Sequence, residues 1–270
     1  MLYNLFEYLN QTSNFPGSGV FQYISFRASM ALITSLIVSL LFGRNIINII
    51  RRKQIGEQVR ELGLIGEDEK KGTPTMGGLI ILSAIIIPTL LFAQLDNIYI
   101  ITLLVSTIWL GTIGFIDDYI KVYKKDKEGL AGRFKILGQF GLGIVVGLVM
   151  VFHPDITIKE KINSNKIINI EENSINNSFE EFAHKSSKTT IPFFKDNVFA
   201  YEDLICWISE SAVKYWWILF VFIVVFIIIS VSNGANLTDG LDGLATGTSA
   251  IIGATLVIFA YVSGNIVAAN

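Results

Sequence analysis

The sequence predicts an all-α polytopic membrane protein, and three observations carry that prediction. Of its 270 residues, 51% are hydrophobic and only 16% charged, whereas soluble domains carry about a quarter charged residues. Six apolar runs have roughly the length of a helix that crosses a bilayer core, about 20 residues. The Lys and Arg residues gather in two of the connections between those runs.

The elements follow in order. The N-terminal stretch has no Lys or Arg before Arg27. It therefore lacks the basic flank of a secretory signal, and the first run, at 24–42, reads as a retained helix. The next runs fall at 76–95, 98–116, 136–152, 214–232 and 243–262. The fourth, "ILGQFGLGIVVGLVMVF", is the shortest, and its Gly138, Gly141, Gly143 and Gly147 suit close helix packing. The connection 43–75 holds seven Lys/Arg and the shorter 117–135 holds six. The positive-inside rule makes both cytoplasmic and puts the N-terminus outside, and six spans then return the C-terminus to the outside. The segment 153–212, with six Lys/Arg against ten Asp/Glu, falls outside too. Its alternating "DITIKEKI" predicts a short strand or two in an insertion with little helix signal. The whole of 1–270 reads as a single transmembrane domain, with 153–212 inserted into it. A lone cysteine, Cys206, excludes an intrachain disulfide. A net charge of −2 with no basic-aromatic tract gives no reason to expect a nucleic-acid partner.

This topology places the loops 43–75, 117–135 and 233–242 on one face, and those loops hold three polar motifs. The first is "KKGTPTMGG", residues 70–78. Gly72 and Pro74 break the chain before a span, and Gly77–Gly78 would let another backbone approach closely. Lys70 and Lys71 are either flexible point charges for phosphate or simply positive-inside markers.

The second motif is "GFIDDYIKVYKK", residues 114–125. If the helix continues past the apolar boundary, Asp117, Lys121 and Lys125 share a face at four-residue spacing, and Asp118 points about 100° away. Paired carboxylates can hold Mg²⁺ or act as a base. They can equally be interfacial charges salt-bridged to lysines. The third motif is "NGANLTDGLDGLATG", residues 233–247. Asn236, Asp239 and Asp242 recur every third residue along one helical flank, with Gly240 and Gly243 baring the adjacent faces. Such oxygen-bearing side chains suit Mg²⁺ and the hydroxyl and amide edges of a nucleotide. The plainer reading is a polar helix start with Asn and Asp as caps. Ionisable residues bracketed by apolar spans favour the functional one. Carboxylates and lysines on one membrane face describe a metal–phosphate site beside lipid.

"KKGTPTMGG", "GFIDDYIKVYKKDKEGLAGRFKILGQ" and "SNGANLTDGLDGLATG" together resemble the phospho-N-acetylmuramoyl-pentapeptide transferases. These sit within the polyprenyl-phosphate N-acetylhexosamine-1-phosphate transferases. The resemblance spans most of the chain apart from the insertion. It implies Mg²⁺-dependent attack of undecaprenyl phosphate on UDP-N-acetylmuramoyl-pentapeptide, giving lipid I and UMP. The setting it implies is the cytoplasmic face of the bacterial inner membrane, with homodimerisation a family expectation. By position, Asp117 and Asp118 match the paired catalytic aspartates, which are also the tentative metal ligands. Lys71 and Thr75 match residues near the nucleotide site, and Lys121 and Lys125 match basic neighbours. Asn236, Asp239 and Asp242 match the polar helix edge that contacts the nucleoside or neighbours of the metal site.

The resemblance also implies about ten spanning helices, a Phe-Met-Gly-Asp segment whose Asp binds metal, and a His-rich loop. This sequence holds neither motif, and its only histidines, His153 and His184, read as surface residues of the outer side. A C-terminally incomplete sequence, inactive by itself, is therefore expected. Two alternatives stay open at this stage. One is a sibling transferase that moves N-acetylglucosamine-1-phosphate to the same lipid. The other is a non-enzymatic membrane transport or scaffold protein, which would place its carboxylates near mid-membrane.

Overall fold

The computed structural model describes residues 1–13, 16–53, 76–124, 129–160, 182–185, 187–190, 198–208, 210–239 and 243–264. Helices dominate them: α1 (Leu2–Ser13), α2 (Ile24–Lys53), α3 (Gly78–Phe92), α4 (Ile98–Tyr123) and α5 (Gly132–Phe152), then α6 (Tyr201–Ile208), α7 (Trp216–Thr238) and α8 (Leu244–Gly264). Five helices are long and apolar enough to cross a membrane, and they make this an integral membrane protein. Their outer surfaces are apolar, with Leu36, Leu40, Phe222, Phe226 and Leu256 all exposed, as expected where lipid takes the place of a packed neighbour. Hydroxyls on these surfaces are satisfied within their own helix. Thr102, Ser106, Thr107 and Thr112 each donate to the carbonyl four residues back, at 2.7–2.8 Å, which hydrocarbon demands of any polar group.

The second apolar run is shorter than its sequence predicts. The run 76–95 becomes a 15-residue helix, α3, with Pro88 inside it. At 1.5 Å per residue it is about 22 Å long, less than a hydrocarbon core of about 30 Å. The other helices overshoot their apolar runs. α4 continues seven residues beyond 116, carrying Asp117, Asp118 and Lys121 on regular helix, and α7 continues to Thr238.

α3, α4 and α5 run antiparallel in turn, and α7 runs antiparallel to α5. α3 and α4 turn through 93–97, where the Asn97 side chain caps α4 by accepting from the Tyr99 N–H at 2.8 Å. At this end the Met1 ammonium donates to the Leu90 carbonyl at 3.0 Å. α5 lies between two partners, α4 and α7. Its glycines divide between them. Gly138 lies against the Ile113 side chain, Gly141 faces Trp109, and Gly143 and Gly147 pack on the α7 backbone at Val225 and Val221. The Trp109 indole N–H donates to the Gly138 carbonyl at 2.9 Å, locking α4 to α5. Leu142, between the two glycine pairs, is fully buried.

The segment between α5 and α7 holds two short antiparallel pairs, β1 (Ile158–Glu160) with β2 (Phe182–His184) and β3 (Lys188–Thr190) with β4 (Val198–Ala200). The alternating pattern is thus realised as strands. One short helix, α6, also lies in this segment, with Glu202 and Asp203 in its first turn, the end at which a helix favours negative charge. Tyr201, 3% exposed, anchors α6 through its hydroxyl, 2.7 Å from Thr189, and through ring contacts with Phe199 and Phe220.

Candidate functional site

Contacts between neighbouring helices set the end of α4 beside the start of α5, and the end of α7 along the same part of α5. Of the polar residues singled out in the sequence, Asp117, Asp118, Lys121, Asn236 and Asp239 are described and lie on these helix ends. Lys71, Thr75, Lys125 and Asp242 fall outside the described residues, as does Lys70.

Asp117 is the centre of the site. Because α4 stays helical past the apolar boundary, Lys121 lies one turn on, and its Nζ is 2.7 Å from Asp117 Oδ2. The other oxygen, Oδ1, accepts from the Leu130 backbone N–H at 2.8 Å and meets Lys135 Nζ at 2.8 Å. One carboxylate thus ties α4 to the connection 129–131 and to the first turn of α5. Gly129 makes the tight return possible. Its φ is +69°, and a Cβ there would lie 2.5 Å from Asp117 Oδ1 and 2.7 Å from Lys121 Cε, so only glycine fits. Asp117 is 9% exposed. The two lysine side chains retain 32% and 22% of their exposure. Each ammonium has three N–H donors and spends one on Asp117, and among the described residues the other two on each meet no further hydrogen-bond partner.

Asp118 departs to the other flank, where its carboxylate lies near the backbone of Met76. Met76 ends the "KKGTPTM" run with φ +67°, a left-handed conformation uncommon outside glycine. The first and second motifs therefore meet at Asp118. No described atom lies within 4 Å of a Cβ at Gly77 or Gly78.

The third motif lies at the end of α7 rather than at a helix start. Asn236 is in its last turn and Asp239 is its C-cap, still in right-handed helical conformation, so the two share a flank and both are exposed. The chain turns at Gly243, φ +76°, and re-enters the apolar layer as α8. Asn236 and Asp239 reach the site through α5. Gln139, one turn from Lys135, donates to Ser232 Oγ at 3.0 Å and accepts from Asn233 Nδ2 at 2.9 Å. Since α5 and α7 are antiparallel, Asn236, one turn past Ser232, stands level with Lys135.

Sequence reasoning missed Lys135, Gly129 and Gln139. A signal existed for Lys135: a cation in the first turn of a helix opposes the helix dipole and calls for a nearby anion. Among the described residues no three His, Cys, Asp or Glu side chains gather as a metal cage. Mg²⁺ needs only one or two carboxylates when phosphate oxygens complete its shell. Asp118, which makes no ion pair among the described residues, is the carboxylate that fits. Asp117 already has three donors on its two oxygens.

A polytopic helical membrane protein with a lysine-flanked carboxylate pair at one helix end fits a class that handles phosphorylated sugars beside lipid. The comparisons agree. The family model described as "Glycosyl transferase family 4" matches residues 100–270, and this chain belongs to that family. The phospho-N-acetylmuramoyl-pentapeptide-transferase signature 1 matches residues 70–82. The chain is similar to proteins named phospho-N-acetylmuramoyl-pentapeptide-transferase from several bacteria. It is 54% identical to that of Flavobacterium psychrophilum over 270 residues, all of this chain and 66% of the relative. It is 56% identical to that of Parabacteroides distasonis over 265 residues, 98% of this chain and 62% of the relative. The chain thus spans just under two thirds of the length of these curated relatives.

Proposed function

We propose that this chain forms the phosphate-handling part of an enzyme that transfers phospho-N-acetylmuramoyl-pentapeptide from its UDP-linked donor to undecaprenyl phosphate, yielding lipid I and UMP. The observation that carries the reading is the pair of lysines fixed on Asp117, each with two N–H donors not spent on any described residue, at the same end of α4 as Asp118. Lys121 and Lys135 clamp phosphate oxygens as charge shifts from the attacking lipid phosphate to the departing UMP, and charge stabilisation of this kind supplies most of such catalysis. Asp117 orients both ammonium groups. A lipid phosphate is already largely ionised at neutral pH, so the site has little need of a strong base. Asp118 would hold Mg²⁺, whose chemistry when bound is neutralisation of the diphosphate. Asn236, Asp239 and Asp242 face the nucleoside, with Lys71, Thr75 and Lys125 completing the phosphate surround.

In this reading α3 joins the five longer helices as a sixth span. The N-terminus and the insertion 153–212 face outward, and the site faces the cytoplasm at the bacterial inner membrane, in a homodimer. What supports the sidedness is the concentration of Lys and Arg in 43–75 and 117–135. What supports the muramoyl donor over N-acetylglucosamine-1-phosphate is the signature match at 70–82. A non-enzymatic ion path is disfavoured by carboxylates that sit at helix ends rather than mid-membrane.

The test is Asp117→Asn in the intact protein, assayed for Mg²⁺-dependent UMP release with each UDP-sugar. The expected outcome is a loss of at least about 100-fold with the muramoyl-pentapeptide donor, the scale on which one preorganised charge stabiliser acts. Near-normal release would remove Asp117 from the mechanism, and a preference for UDP-N-acetylglucosamine would reassign the donor.

A further inference from the structure

Gln139 is the most buried polar side chain on the spanning helices among the described residues, 5% exposed, and no part of the chemistry above uses it. Its amide is spent on two adjacent residues of α7. Nε2 donates to Ser232 Oγ at 3.0 Å, and Oε1 accepts from Asn233 Nδ2 at 2.9 Å. Asn233 also donates to the Ile229 carbonyl of its own helix at 2.8 Å, which fixes the amide that Gln139 reads. Within hydrocarbon, apolar contacts between helices trade with lipid at little cost, whereas an amide that loses its partners finds no water to replace them. A single buried polar residue between helices therefore selects one register over its neighbours.

The geometry points to Gln139 as a positioning residue: it fixes the slide and rotation of α7 against α5, and so sets Asn236 and Asp239 level with Lys135. Gly143 and Gly147 bring the two backbones close, with ideal Cβ positions 2.7 Å from Val225 Cα and 3.2 Å from Val221 Cα. Closeness makes the interface tight, and the amide chooses the register. This inference rests on the proposed function for its kinetic consequence, since Asn236 and Asp239 are there the nucleoside-facing edge and Lys121 and Lys135 the phosphate clamp. Loss of register then weakens capture of the UDP-linked donor and leaves the lipid phosphate's own contacts in place.

The experiment replaces Gln139 with Met, of similar length and without hydrogen bonds, in the intact protein. Two readouts are taken: UMP release with each substrate varied in turn, and hydrogen exchange of backbone amides without substrate. The expected result is a rise of about 10- to 100-fold in KM for the UDP-linked donor, the scale of a misplacement of about 1 Å. KM for undecaprenyl phosphate stays as in the parent, and exchange accelerates over 233–239 but not over 98–116. Ser232→Ala removes only one of the two bonds and moves both readouts the same way by less, so a poorly folding Gln139→Met leaves the inference testable. Unchanged exchange at 233–239 overturns it. So does faster exchange accompanied by equal losses for both substrates, which would make Gln139 a packing residue only. If the parent protein releases no UMP from the muramoyl donor, the proposed function fails, and the exchange result alone decides whether Gln139 sets the register.

Discussion

Replacing Gly129 with Ala adds one methyl group at the point where the chain folds back over Asp117. The residue has φ +69°, and the new Cβ would lie 2.5 Å from Asp117 Oδ1, 2.7 Å from Lys121 Cε and 3.1 Å from Lys121 Cγ. A left-handed conformation costs a non-glycine residue about 1–2 kcal/mol. The lysine carbon belongs to a flexible side chain and can give way. The carboxylate oxygen cannot, because Leu130 N–H and Lys135 hold it at 2.8 Å each. Losing one such charged hydrogen bond costs about 1.5–3 kcal/mol, so the local penalty is roughly 3–5 kcal/mol. If 3 kcal/mol of that falls on the arrangement of Asp117 and its lysines, kcat/KM drops by about 100-fold. Gly132→Ala is the internal control, since no described atom lies within 4 Å of a Cβ there and its φ is not positive. UMP release and thermal unfolding in detergent, measured on both variants in the intact protein, test the reasoning. Indistinguishable behaviour of the two variants would refute the claim that glycine at 129 is what lets Asp117 hold its partners.

Three further outcomes are expected. Lys135→Met should lower UMP release by about 10- to 100-fold and leave far-ultraviolet circular dichroism unchanged, because it removes a preorganised cation and no backbone bond. Gly143→Ala should lower the melting temperature more than Gly138→Ala, since the first methyl meets the Val225 backbone at 2.7 Å and the second meets the Ile113 side chain at 2.6 Å, which can rotate; equal shifts would contradict this. Trp109→Phe removes the bond from Nε1 to the Gly138 carbonyl and should cost about 0.6 kcal/mol, the average for a polar contact between membrane helices, read in unfolding titrations.

What the sequence made legible was local. Apolar runs give the helices directly, because a chain in lipid must satisfy its own backbone bonds. The four-residue spacing of Asp117 and Lys121 gives their ion pair, and the alternation of "DITIKEKI" gives a strand. The glycines of the fourth run announce close packing, though not that they divide between α4 and α7. Contacts that cross a connection were not legible. Lys135 reaches Asp117 only because the chain reverses at Gly129, and Met76 reaches Asp118 only because α3 and α4 are antiparallel neighbours. Gln139 was hidden inside an apolar run, where one amide barely disturbs the pattern yet finds partners 93 and 94 residues away. The helix α6 escaped notice because its eight residues follow a stretch rich in Asn and Ser.

The union of α5 with α7 also bears on the segment between them. Residues 153–215 form a single long excursion, yet the two helices it joins are fastened along their own length by Gly143, Gly147 and Gln139. The entropy of closing a loop grows only with the logarithm of its length, so a connection ten times longer than a six-residue turn costs about 2 kcal/mol more. A helix pair that meets backbone to backbone can absorb that amount. The strands and α6 can therefore be lengthened, shortened or exchanged for another module without moving Lys135 relative to Asn236. The chain has, in effect, a port for exchangeable segments at the ends of α5 and α7 farthest from Lys135 and Asn236.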